Sequence, residues 1–540
     1  MKRFLTYGKR ILIAIVCFTA LFFIAQYSVY ADFDQSEDIV YKTLTYTNDT
    51  SKPYNTALSN EAQRQIDQYL WLGNYTFDHI LAIADPYQTN TNALNIYFKT
   101  EEAVSVTYTI HVEASNISDF TRTLKNDDKS GYTTDHAYQL IGLIPDMDNI
   151  ITLKLTDKNG NIVNQKSFTY HAGPLKGKED VQLKLEKGTS TEALSNGLYT
   201  VLGNDSDDQD FVYLYDNEGV LRSEMPINGY RSHRMLFDED YLYMSVSQYK
   251  MAKLSRLGRV EEVYKTGSYE IHHDYVFDET GNILILATDT TSETEEDLVI
   301  RLNLKTGEIH EILDLADLFG DYKKTAALPK DADTLDWMHI NTLQLMDDHS
   351  ILLSSRETST IIKIKDYDTS PSIDYMIGNE EFWTASGYDS NLLSQEGEFV
   401  LQSGQHTVTY VADDDLPEGQ YYVYMFNNNN TISATRPDFD WKTYYPGTGT
   451  AVKGDASYYY RYLVDETART FTLVDSMPVD YSGYVSSAQE YEGNLIVDSG
   501  MANTFTEYDA HHELIAKFTI QAEKFIYRIY KYTYEGFWFQ

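Results

Sequence analysis

Thirteen histidines occur in this chain of 540 residues, and five of them fall at one point of four successive sequence units. His233 precedes Tyr241-Leu242-Tyr243-Met244, and the pair His272-His273 precedes Ile283-Leu284-Ile285-Leu286. His339 precedes Ile351-Leu352-Leu353, and His406 precedes Tyr421-Tyr422-Val423-Tyr424. His310, His349, His511 and His512 stand elsewhere in the pattern. Imidazole changes charge near neutral pH, so a convergent set of histidines can attack an electrophile, move protons or hold a metal. His339 lies in Asp336-Trp337-Met338-His339-Ile340-Asn341, where alternation along a strand would put His339 and Asn341 on one face. Arg356 follows the apolar run Ile351-Leu352-Leu353 and Ser354-Ser355. Histidine, arginine and asparagine together suit an anion with several oxygens. A metal centre is the rival, but Asp274 is the one carboxylate beside these histidines in sequence, so the expectation is no metal site.

The units that carry the histidines must bring them together. Each is a polar or histidine residue, then a turn and an apolar strand, and a fifth runs from Ser487 to Gly493-Asn494-Leu495-Ile496-Val497. Strands closed by Asp-x-x-Gly or Lys-Thr-Gly turns alternate with them, as in Tyr213-Leu214-Tyr215-Asp216-Asn217-Glu218-Gly219 and Leu302-Asn303-Leu304-Lys305-Thr306-Gly307. A further unit from Leu198 makes six. Repeats of about 40–50 residues with four short strands predict a β-propeller, whose innermost strands ring one channel. His233 and His272 are 39 residues apart, a bare blade, while 67 residues separate His272 from His339 and His339 from His406. The longer blades carry inserts, one of them the acidic run Thr291–Asp297.

Upstream, strands such as Leu94-Asn95-Ile96-Tyr97-Phe98, Val104–Ile110 and Ile151–Leu155 predict a β-sandwich over 76–175. Residues 32–75 form an extension with a short helix over 59–72, for which Ser59 reads as the N-cap. The whole reads as all-β, a small N-terminal sandwich followed by a six-bladed propeller over 197–540. Residues 1–31 join Lys2, Arg3, Lys9 and Arg10 to an apolar stretch and end in Val29-Tyr30-Ala31, the layout of a signal peptide or an uncleaved signal anchor. The expectation is an exported protein, with Cys17 as its one cysteine lying inside that segment. A formal charge of −39 argues against nucleic acid as a partner.

Asp336-Trp337-Met338-His339-Ile340-Asn341-Thr342 with Ser354-Ser355-Arg356, together with His272-His273-Asp274, Gly404-Gln405-His406 and Ala488-Gln489, resemble the bacterial arylsulfate sulfotransferases. The similarity covers the propeller, and 76–172 look like that family's N-terminal sandwich. The resemblance implies transfer of a sulfuryl group from a phenolic sulfate ester to a phenol through a sulfohistidine, with no nucleotide donor and no cofactor. It implies His406 as nucleophile, and His339, Asn341 and Arg356 as holders of the sulfuryl oxygens. One of His272 and His273 becomes the acid–base residue, His273 being preferred. A homodimer is a further implication. The chain departs from the family in lacking any cysteine near the site, which leaves open how the segment from Phe426 to Trp441 is held. Asn427-Asn428-Asn429-Asn430 also stands where related chains tend to have Asp-Asn-Gly.

The chemistry agrees with the residue types. Sulfuryl transfer spreads charge over three oxygens, as phosphoryl transfer does, and calls for fixed cations and N–H donors around them. Two other readings remain at this point: a non-catalytic surface propeller that binds a glycan or protein, and a different exported propeller enzyme, metal-assisted or quinone-dependent.

Overall fold

The computed structural model describes residues 38–203, 210–229, 231–448, 455–522 and 524–540. The expectations for residues 1–31 lie outside them. Among the described residues no helix is long and apolar enough to cross a membrane.

The helix of the N-terminal extension spans Thr56–Leu72, one turn earlier than the sequence suggests. Asn55 caps it, its side chain accepting the Ala57 N–H at 2.9 Å. Ser59 is therefore inside the first turn, buried, and its hydroxyl accepts the N–H of Val260 in the propeller at 3.1 Å. The predicted cap is instead a docking contact.

The sandwich is built on one strand, Leu94–His111, where the sequence shows two separate runs. Its first half pairs with Ile80–Ala84 and Thr133–Leu140, and its second half with Phe120–Thr123 and Asp148–Thr156. The register shifts between Lys99 and Val104, so the strand passes from one sheet to the other at an irregularity. Ile162–His171 closes the second sheet against Asp148–Thr156.

Six sheets follow among the described residues, four of them four-stranded and two carrying a fifth strand at the outer edge, and each winds outward from an inner strand. The inner strands of the second to sixth blades are Leu236–Asp238, Tyr269–Phe277, Ile340–Leu345, His406–Val411 and Ser487–Tyr491. The first blade takes its inner strand from the far end of the chain: Ile529–Tyr532 pairs with Leu198–Val201, which is followed outward by Phe211–Tyr215 and Leu221–Pro226. The ring is thus closed by hydrogen bonds between the two ends of the repeat. The stretch between the two predicted domains also belongs to the propeller, since Lys184–Lys187 adds a strand to the outer edge of the sixth blade.

A chain of bonds ties one inner strand to the next. Asp274 accepts the N–H of Leu343, Thr342 that of Val408, Thr407 that of Ala488, and Ser487 that of Ile529, at 3.2, 3.3, 3.0 and 3.2 Å. Arg528, fully buried, donates to Asp274 and to the carbonyls of His233 and Asn341, spanning three blades. The C-terminal residues then cross back: Lys125 N–H bonds Trp538 O at 2.9 Å, and Phe537, Trp538 and Phe539 share one apolar core with Tyr108 and Phe120 of the sandwich. The propeller and sandwich are therefore packed together around the chain terminus.

Candidate active site

Inner strands start at one mouth of the propeller, and the loops that join second to third strands return to the same mouth. Its inner rim is irregular. Register shifts occur between Ile271 and Tyr275, between Ile340 and Thr342, and between His406 and Thr409. His273, His339 and Thr407 have φ of 51°, 47° and 50°. Bulges and left-handed residues at matching places in three blades turn side chains that a regular strand would direct sideways.

His406 is 2% exposed. Its Nδ1 lies 2.7 Å from Asn428 Oδ1 and 3.1 Å from Gly404 O. The amide of Asn428 cannot be reversed, because its Nδ2 donates to Ser482 O at 2.8 Å and Val485 O at 2.9 Å. Both neighbours of Nδ1 are acceptors, so Nδ1 carries the proton. Burial holds the ring's pKa well below the ordinary imidazole value, opposed by the Asn428 bond and aided by the charges of Arg356 and His339. A neutral ring with its proton on Nδ1 has a bare lone pair on Nε2, and no hydrogen bond to Nε2 occurs among the described residues.

The backbone before His406 is clamped. Gln405 Nε2 donates to Ser354 Oγ and Ser355 O at 3.0 and 3.1 Å. Gly404 has φ +61° and donates its N–H to Ser359 Oγ, and a Cβ there would stand 2.6 Å from Asn430 O. Only glycine fits that turn.

His339 is the charged partner. Its Nδ1 lies 2.5 Å from Asp336 Oδ2 and 2.8 Å from Glu296 Oε2. Burial alone would depress its pKa, but Asp336 and Glu296 outweigh burial and hold it up at about 10. His273 meets the same carboxylate with the opposite result. Nε2 donates to Glu296 Oε2 at 3.1 Å, and Nδ1 takes the Tyr527 hydroxyl at 2.8 Å. Burial brings it down to about 3 against the pull of Glu296. The two rings are 5.0 Å apart between centroids, one cationic and one neutral. Arg356 donates its backbone N–H to His339 O at 3.1 Å, and its guanidinium meets only Glu357, at 3.8 Å, among the described residues. Two cations thus stand beside His406 in a chain of strongly acidic composition.

The structure brings His272, His273, His339, Arg356 and His406 to one mouth but alters three expectations. Asn341 does not share a face with His339, because the left-handed turn at His339 and the bulge after it break the alternation. Asn341 is fully buried, with its Nδ2 donating to Gln405 O at 2.8 Å, so it supports the segment that carries His406. His233 packs edge-on against Tyr527 and Tyr275, behind His273. Third, carboxylates do stand beside the histidines. Ligand atoms of His272, His273 and Glu296, and those of Glu296, Asp336 and His339, lie within 4.8 Å of one another. Either group could hold a cation, although the hydrogen bonds just described already account for Glu296, Asp336, His273 and His339. Glu296 comes from the acidic insert of the third blade, which the sequence marks only as an insert.

The segment from Phe426 to Trp441 needs no disulfide. Glu357 Oε1, buried, accepts from Ser433 Oγ, Thr435 N–H and Thr435 Oγ1 at 2.8, 2.7 and 2.7 Å. Phe439 and Trp441 pack on Phe382, each with ring centroids 5.2 Å from it.

Among solved structures, the chain is similar to a 6-phosphogluconolactonase-like protein from Bacteroides uniformis, described as putative, at 12% identity. That match covers 77% of this chain and 99% of the other, with a TM-score of 0.33. The WD40 domain of Toxoplasma gondii coronin matches at 9% identity, over 63% and 75% of the two chains, with a TM-score of 0.32. Neither likeness bears on function. No curated protein matches. Family comparison matches residues 81–173 to the Arylsulfotransferase Ig-like domain and residues 184–533 to Arylsulfotransferase (ASST), and these spans coincide with the sandwich and with the ring that holds His406. The chain belongs to the arylsulfotransferase family and is a sulfotransferase of that family.

Proposed function

We propose that this enzyme moves a sulfuryl group from a phenolic sulfate ester to a phenol by way of a sulfohistidine at His406. The observation that carries the reading is the fixed tautomer of His406: a buried neutral ring, protonated on Nδ1, whose Nε2 has a free lone pair beside two cations.

In the first half-reaction Nε2 of His406 forms a bond to sulfur as the sulfur–oxygen bond to the aryl group breaks. Arg356 faces the charge on the sulfuryl oxygens. The leaving phenolate takes the proton of His339. A free phenol loses its proton near pH 10, and His339 holds its own to about 10, so transfer between them is close to balanced. His273 was the preferred acid–base residue from the sequence. Its neutral ring and its engaged nitrogens favour His339 for the proton and leave His273 to orient Glu296, which His339 also uses. In the second half the acceptor phenol returns a proton to His339, its oxygen attacks sulfur, and His406 is released neutral. No step needs a nucleotide or a cofactor. The basic and apolar N-terminal segment supports an extracytoplasmic place for this chemistry.

The test is mass spectrometry of enzyme quenched with an aryl sulfate and no acceptor. A sulfuryl mass on the peptide holding Gln405-His406 is expected, with ping-pong kinetics. Transfer at the parent rate by His406→Ala would exclude His406 as the nucleophile.

A further inference from the structure

Arg356 stands in the turn between the second and third strands of the fourth blade, Ser350–Ser355 and Thr360–Lys365. The turn is fixed. Ser359 N–H donates to Arg356 O at 3.1 Å, Thr358 Oγ1 donates to Ser355 Oγ at 2.7 Å, and Ser355 Oγ donates to Met338 O at 2.5 Å. These bonds set the backbone of Arg356 and leave its long side chain to be placed by something else. The next residue, Glu357, is 2% exposed. A carboxylate taken out of water needs partners for both oxygens. Oε1 accepts three bonds, from Ser433 Oγ, Thr435 N–H and Thr435 Oγ1. Oε2 faces Arg356 Nη1 at 3.8 Å, the one ion pair of Glu357 among the described residues.

The two oxygens do different work. At 3.8 Å, Oε2 attracts the guanidinium but stands too far off to take one of its N–H groups. The fork of Arg356 therefore keeps its donors for the oxygens of an anion. A long side chain that is already placed when the substrate arrives loses no rotamer freedom in the transition state. Oε1, in turn, fixes where Oε2 stands. Thr435 supplies two of its three bonds and is itself tied to a neighbouring blade, since its carbonyl accepts the N–H of Ala327 at 2.8 Å. Ala327 lies on the stretch that runs from helix Leu315–Lys323 to Asp336, the partner of His339. The anchor of Glu357 is thus continuous with the stretch that charges His339.

We infer that Glu357 is a positioning residue for Arg356: its buried carboxylate, anchored through Oε1 to residues 433–435, holds the guanidinium at the mouth through Oε2 without occupying its donors. The inference rests on the sulfotransfer reading and adds a residue to it. Glu357 acts through Arg356 and makes no contact with the sulfuryl group.

The experiment is a double-mutant cycle. Glu357→Gln keeps the acceptor that Ser433 and Thr435 require and puts an NH2 group in place of the charged oxygen beside Arg356. Sulfuryl uptake is read as the burst of nitrophenol from 4-nitrophenyl sulfate, in the parent and in an Arg356→Ala background. In parallel, with no sulfate ester present, the rate at which phenylglyoxal modifies Arg356 is read by mass spectrometry of its peptide. Glu357→Gln should slow the burst about tenfold when Arg356 is present and less than about twofold when it is absent, because residues that act as a unit are not additive. Arg356 should react several-fold faster with phenylglyoxal once Oε2 is gone. Thr435→Val removes one bond to Oε1 and leaves the charge, so it should lower the urea midpoint and keep the burst within about twofold of the parent. Glu357→Asp, which keeps the charge and shortens its reach, runs the same cycle if the amide variant does not fold. Equal losses in both backgrounds would make Glu357 a structural residue and overturn the inference. So would a parent-rate burst in Glu357→Gln; either result leaves the reaction standing. A wild-type protein that releases no nitrophenol sinks the sulfotransfer reading instead. The hold on Arg356 is then decided by phenylglyoxal alone, upheld by faster modification in Glu357→Gln and overturned by an unchanged rate.

Discussion

Replacing Asp336 by Asn tests the proton assignment at its source. Asn keeps the shape of the residue 2.5 Å from His339 Nδ1 and removes its charge. The distance between the ordinary imidazole value of 6.5 and the value of about 10 at His339 corresponds to about 5 kcal/mol in favour of the protonated ring. Asp336 and Glu296 supply that preference against burial, so loss of one charge should lower the value by about 1–3. If His339 then loses its proton near pH 8, only about a tenth of the enzyme is protonated at pH 9. The assay is single-turnover release of phenol from phenyl sulfate across pH. The alkaline limb should move from near 10 to between about 7 and 9, and the loss at pH 9 should be about tenfold. With 4-nitrophenyl sulfate, whose leaving group is far more acidic, the loss should be small, because that phenolate departs without help. Stability follows the same sign. The folded value lies above the unfolded one, so the stabilisation by Asp336 is full below pH 6.5 and is lost as pH rises through about 10. The difference in Tm between wild type and variant should shrink over that interval. An alkaline limb that stays in place, or equal losses with both esters, would refute the role of His339 as the acid.

Three other substitutions have defined outcomes. Asn428→Leu removes the acceptor that fixes Nδ1–H on His406 and strips donors from Ser482 O and Val485 O; uptake of the sulfuryl group, read as the burst of nitrophenol, should fall by about 10²–10⁴. Arg356→Lys retains the charge but not the planar fork, so kcat should fall by about 10²-fold while His406 is still labelled in mass spectra. Gly404→Ala forces a Cβ against Asn430 O at a left-handed position; urea unfolding should show a cost of about 1–3 kcal/mol, with transfer lost in the fraction that stays folded.

The repeat was legible because each blade reuses one strand pattern, and the pattern survives changes in loop length. What the sequence hides is spatial equivalence within the repeat. The bonds from Asp274, Thr342, Thr407 and Ser487 to the next blade align the residues just before them: His273, Asn341, His406 and Ser486. His339 stands two positions before Asn341, so it is not the counterpart of His273 or His406, although its spacing from His272 and His406 is regular. It reaches the mouth by its left-handed backbone, which no periodicity in the sequence announces. The closing strand Ile529–Tyr532 was hidden for a related reason: it completes the first blade from the far end of the chain, so no local hairpin marks it.

Much of what sets protonation lies in residues that look like filler. Glu296 sits in an acidic insert, and Asn428 in a run of four asparagines, where composition suggests a solvated loop. One carboxylate oxygen of Glu296 serves both His273 and His339, and one amide of Asn428 serves His406. The consequence is that three of the site's histidines stand in three states: His339 cationic, His273 neutral with both nitrogens engaged, and His406 neutral with a nitrogen free. Under the proposed mechanism the same side chain type would perform attack, proton transfer and support because its neighbours differ. Asp336, at i−3 from His339, is the one member of this set that a sequence reader could select on spacing, since a left-handed residue folds such a pair together. Histidines alone therefore locate the mouth of the propeller, and their acidic and amide partners decide which of them is charged, which is neutral with both nitrogens engaged and which is neutral with a nitrogen free.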